Sequence, residues 1–137
     1  MDNIETLFNK KQYQAVIKVC RNSSNINSLF FCLYSYINLK LFDDAIIFIK
    51  EKNEILIQDR KRLFNAHMDI LFEQKNYIKA LEMLDFYDSL PYLDYEFEEM
   101  LKDTKKHILK NLEYHQKAKT LNDEDIKELL RNPCDNR

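Results

Sequence analysis

Apolar residues recur along this chain three and four positions apart, interrupted by short polar segments. That rhythm predicts helices that each bury one face. The first predicted hairpin has helices near 2–9 and 12–22, with Ile4, Leu7 and Phe8 inward on one and Tyr13, Val16, Ile17 and Cys20 on the other. The polar segment Arg21 to Asn27 is a loop. The second hairpin covers 26–38 and 42–52, with Leu29, Cys32, Leu33 and Tyr36 facing Phe42, Ala45, Ile46 and Ile49. The third covers 59–74 and 77–89. Leu63 or Phe64, His67, Met68 and Leu71 form one stripe, and Tyr77, Ala80, Leu81 and Leu84 the other. Pro91 closes it, because proline cannot continue a helix and biases Leu90 out of helical geometry.

A longer pattern follows Asp94, a favourable N-cap. Residues 95–119 predict a helix about 37 Å long at 1.5 Å per residue. Its stripe is Phe97, Met100 or Leu101, Ile108, Leu112 and His115. Glu96, Glu98 and Glu99 crowd its start and Lys110, Lys117 and Lys119 its end, the order that complements the helix macrodipole. A short helix at 123–131 starts at an Asn122 cap and stops before Pro133, leaving 132–137 as a frayed tail. The division expected is therefore three hairpins over 1–91 and capping helices over 92–131, in one compact domain.

The chain of 137 residues contains no glycine and only two prolines. Phosphate-cradling loops, dinucleotide fingerprints and nucleophile elbows need glycine where the backbone turns sharply or approaches a ligand. Tight β-hairpins usually need it too. An all-α fold is left, with asparagine expected at the left-handed helix caps that glycine normally fills.

One phrase repeats. "KQYQAV" at 11–16, "KLFDDA" at 40–45 and "KNYIKA" at 75–80 each place an aromatic three residues before a small or β-branched residue. Each also has a lysine two places before the aromatic. In a helical hairpin, Tyr13, Phe42 and Tyr77 would plug the elbow. Val16, Ala45 and Ala80 would sit at the close crossing, at intervals of 29 and 35 residues. A period of about 34 is that of tetratricopeptide (TPR) repeats, and the chain resembles that family over about 1–91. Leu29, Cys32-Leu33 and Tyr36 follow the family's first-helix pattern, Phe64, His67-Met68 and Leu71 follow it less closely, and Pro91 stands near its closing proline. Departures are Ile4, Leu33 and Met68 at the small position of the first helix, and Ser23, Lys52 and Tyr87 at the later one. Within the family, "KKQYQAV", "FFCLYSYINLKLFDDA" and "KALEMLD" are most similar to the opening repeats of TPR scaffold subunits of the anaphase-promoting complex. A looser similarity is to the TPR subunit of the signal recognition particle. The resemblance implies a TPR-like α-solenoid with a long C-terminal capping helix and a short final helix.

Composition adds few further candidates. The net charge is −2, which offers no field of one sign to steer nucleic acid or membrane phosphates. The longest mainly apolar run, Leu29 to Leu39, includes Ser35 and Asn38 and is far short of the about 20 residues a bilayer needs. Three cysteines behind an acidic start, MDNIETLF, lead us to expect an intracellular protein, cytoplasmic or nuclear, with reduced thiols. The Asn22-Ser23-Ser24 sequon then goes unused. His67, His107 and His115 show no zinc-ligand spacing, and Cys20 and Cys32 fall on inward faces. Glu96, Glu98, Glu99 and Asp103 read as a solvated helix start. No cofactor, metal or catalytic residue is expected.

The TPR register assigns the concave surface to first helices. There it would present Phe8, Phe30, Tyr34, Ile37, Arg62, Asn65, Asp69 and Phe72, an aromatic-rich groove suited to a helical or extended segment of a partner. The long helix or a second copy of the chain, as in a homodimer, are other occupants of the same surface. Family members that hold acidic chaperone tails use a Lys/Asn clamp. Phe30 and Tyr34 occupy two of its positions here, so such tails are not expected to bind. The expected function is a non-enzymatic protein–protein interaction scaffold or adaptor in a larger assembly. The alternative is an RNA- or ribosome-associated factor using Arg60-Lys61-Arg62, and the third option a small hydrolase or metal enzyme.

Overall fold

In a computed structural model, residues 3–119 are described, with side chains through Glu113. Every regular element among the described residues is helical, without strands, and the chain divides into compact units at 1–74 and 75–137. The expected 123–131 helix, the tail and the side chain of His115 lie outside the described residues.

The first unit contains α1 (Ile4–Asn9), α2 (Tyr13–Cys20), α3 (Ile26–Asn38), α4 (Phe42–Glu51), the short α5 (Asn53–Leu56), a 3-10 turn (Ile57–Asp59) and α6 (Arg60–Glu73). Helix α3 is the hub, packing against α1, α2, α4, α5 and α6, and α4 also packs on α6. Its expected stripe of Leu29, Cys32, Leu33 and Tyr36 is buried. Val16, Ile17 and Cys20 meet it from α2, and Ala45 and Ile49 are buried on α4. Five buried apolar residues described in this unit fall outside the predicted stripes: Phe30 on α3, Phe48, whose ring lies 5.6 Å from that of Tyr36, Leu56 on α5, and Ala66 and Ile70 on α6. Both described cysteines are free and buried. Burial pushes both thiols up, Cys32 to about 12, which favours their protonated form.

The turns correct one expectation. Among the described residues, asparagine does not fill the left-handed positions. Lysine does, with φ of 61° at Lys11, 63° at Lys40 and 55° at Lys75. The following residues, Gln12, Leu41 and Asn76, share nearly one conformation, with φ of −90°, −91° and −94°. At the first turn the amide of Lys11 donates to Phe8 and that of Gln12 to Leu7. At the second, Lys40 donates to Ile37 and Leu41 to Tyr36, the same Schellman pair of bonds. A left-handed conformation costs an L-residue about 1–2 kcal/mol. A cation beside the last carbonyls of a helix returns about 0.3–1 kcal/mol, which favours lysine among residues other than glycine. Asparagine works at the opposite helix end. Asn3, Asn25 and Asn76 cap α1, α3 and the helix after Lys75, accepting from the amides of Thr6, Ser28 and Lys79 at 2.7, 3.0 and 3.3 Å. A side-chain oxygen satisfies an orphan amide there. Lys11→Gly is expected to raise stability by about 0.5–1 kcal/mol in urea unfolding, since glycine occupies this φ without the steric penalty. Lys11→Ala, which keeps the penalty and drops the charge, is expected to lower it.

The second unit holds α7 (Tyr77–Asp88) and α8 (Tyr95–Lys119), which pack together. Ala80 and Leu84 are buried on α7, and Phe97, Leu101, Ile108, Leu109 and Leu112 on α8. Asp94 caps α8 as expected, accepting from the Phe97 amide at 2.7 Å. Tyr87, which breaks the repeat pattern, is buried at 1 % exposure, with its ring edge-on to Phe97 at 6.4 Å.

Candidate interaction face

Seven of the eight expected face residues lie on α3 and α6, six of them in two triplets. Phe30, Tyr34 and Ile37 are spaced by four and three, as are Asn65, Asp69 and Phe72, so each triplet shares one side of its helix. The helices pack against each other, which brings the stripes into one region, and α1 adds Phe8 against α3. The ring of Phe8 lies 5.4 Å from Tyr13, 5.2 Å from Phe31 and 6.4 Å from Tyr34. Tyr13, at the start of α2, thus meets Phe8 near the end of α1. Phe8, Tyr34, Ile37 and Phe72 are half-buried, while Asn65 and Asp69 are exposed.

Phe30 is the exception and does not present a surface. It is 0 % exposed, because the start of α6 covers it. The Arg62 guanidinium lies 4.1 Å from the ring centroid, in cation–π contact. Its Nε donates to Asp59 Oδ2 at 3.1 Å, and its Nη2 donates to Asn27 Oδ1 at 2.9 Å. Asp59 also caps α6 through the Arg62 amide. Arg62 is therefore a clasp joining the starts of α3 and α6. Neither Asn27 nor Asp59 was singled out by the sequence reading. An Asp directly before a helical run is an N-cap signal that could have found Asp59.

Further along the same helices, Ile37, Asn38, Lys40, Asp69, Phe72 and Glu73 line a hollow of about 290 Å³. Lys40 Nζ donates to Glu73 Oε1 at 3.1 Å, an exposed pair worth less than about 1 kcal/mol. Asn38 Nδ2 donates to the Tyr34 carbonyl at 2.8 Å. Partial desolvation of its carboxyl, then the neighbouring Glu73, raises Asp69 above its ordinary range although the residue is exposed. Burial raises the Tyr34 hydroxyl as well, so the ring stays neutral at physiological pH.

The described residues contain no group of three His, Cys, Asp or Glu side chains able to hold a metal ion, and no helix long and apolar enough to cross a membrane. Searches found no matching protein-family model, curated protein or solved structure.

Proposed function

We propose that this chain is a non-enzymatic protein-interaction module with TPR-like stacking, holding a helical or extended segment of a partner on the face formed by α1, α3 and α6. The observation that carries this reading is the pair of stripes: half-buried Tyr34 and Ile37 on α3 beside exposed Asn65 and Asp69 and half-buried Phe72 on α6. Two further features support a repeat arrangement within residues 1–74. First helices pack in sequence, α1 on α3 and α3 on α6, and the Schellman turn recurs at Lys11 and Lys40. Apolar and aromatic side chains set between polar ones suit the i, i+3, i+4 anchors of an amphipathic segment. For the RNA-binding alternative, Arg62 offers little, since its charge is already matched by Asp59.

Affinity purification from the native cell with quantitative mass spectrometry tests the proposal. Tyr34→Glu and Ile37→Glu are expected to lose at least one abundant partner that the parent chain retains, with helix content unchanged by circular dichroism. Phe30→Glu is unsuitable as a surface probe, because it would place a charge in the core. An identical partner set for both surface variants would remove the face from consideration.

A further inference from the structure

The hollow between α3 and α6 has a lining whose charge and apolar walls point to an occupant. Its volume of about 290 Å³ is ample for one long side chain. Ile37 and Phe72 give it apolar walls. Two carboxylates and one ammonium line it, and the ammonium of Lys40 pairs with Glu73. Asp69 has no ion pair among the described residues, so one negative charge on this face is unbalanced. The same face shows how the protein handles such a set of groups. At the starts of the same two helices, Arg62 lies over an aromatic ring, that of Phe30, while a carboxylate, that of Asp59, takes its Nε. Phe72 and Asp69, three positions apart on α6 and so on one side of it, supply a ring and a carboxylate again.

We propose that this hollow receives an arginine side chain from the partner segment, its methylene stem along Ile37 and Phe72 and its guanidinium on the Asp69 carboxylate. This deepens the reading of residues 1–74 as an interaction module, rests on it, and names the residue the partner presents. Lysine is the weaker fit, because an ammonium lacks the planar fork that matches a carboxylate and stacks on a ring. The state of Asp69 agrees. Its carboxyl is raised on folding, so the ionised group opposes folding at neutral pH, and the penalty fades as pH falls towards the unfolded value. An incoming cation would remove that penalty.

The experiment is an amide chemical-shift titration of the full chain with N-acetyl-arginine methylamide, alongside the neutral isostere N-acetyl-citrulline methylamide. The arginine probe is expected to shift amides at 37–40 and 69–73, with the citrulline probe weaker by at least about three-fold. Asp69→Asn is expected to weaken arginine binding by a similar factor, with thermal stability at pH 7 unchanged or slightly raised. Equal binding of the two probes, shifts confined to other helices, or an undiminished Asp69→Asn response would each overturn the proposal. If a partner captured through Tyr34 and Ile37 is indifferent to Asp69→Asn, the arginine site falls and the interaction module stands. If the probe binds the hollow but no partner depends on Tyr34 or Ile37, the module reading falls instead.

Discussion

Phe30→Ala is expected to destabilise residues 1–74 by about 3–5 kcal/mol, read from the midpoint and slope of urea unfolding. The ring is completely buried on α3, the helix against which five neighbours pack, so its removal leaves a cavity that rigid elements cannot fill. The loss has a second part. Arg62 lies on this ring, and its guanidinium would sit over a void, tethered only by Asp59 and Asn27. Tyr34→Ala, one turn along and half-buried, is expected to cost less than half as much. Comparable losses at the two positions would contradict the placement of Phe30 inside and Tyr34 at the surface. The comparison also separates two roles that the repeat register had merged, since both residues had been assigned to a binding surface.

Tyr87→Ala is expected to have an effect of similar size in the second unit, about 3–5 kcal/mol. Tyr87 and Phe97 are the largest buried side chains joining α7 to α8, and their edge-to-face contact contributes about 0.5–1.5 kcal/mol beyond area burial. Hydrogen exchange followed by mass spectrometry checks it locally. Amides of α8 between Phe97 and Leu112 are expected to exchange faster in the variant by two orders of magnitude or more, about the factor such a loss implies where opening of α8 limits exchange. Unchanged protection of α8 would mean that Tyr87 does not anchor it.

Much of the helical architecture was legible because it rests on periodicity. The spacing of Leu29, Cys32, Leu33 and Tyr36 yields α3 with its bounds, and Asp94 with the stripe from Phe97 to Leu112 yields the start and inward face of α8. The short α5 was not legible, because four residues are too few to show a period, although they carry the buried Leu56. Lysine at the left-handed turns was visible as a repeated residue but not as a conformation, since propensity favours glycine and asparagine there. The register assigns Phe30 to the same face as Tyr34 and Ile37, which lie on α3, and Asp69 and Phe72, which lie on α6. It misjudged Phe30 because one turn of helix cannot reveal that an arginine 32 positions later folds over it. The Lys40–Glu73 pair and the hollow beside it depend on the packing of two helices and leave no local trace in the sequence.

The packing of α1 on α2, α2 on α3 and α3 on α4 also bears on how the first unit reaches its native state. When contacts join segments adjacent along the polymer, little loop entropy must be lost before attraction sets in, and such topologies assemble in microseconds to milliseconds. Newly synthesised chain would thus begin to acquire order as each successive pair of helices leaves the ribosome.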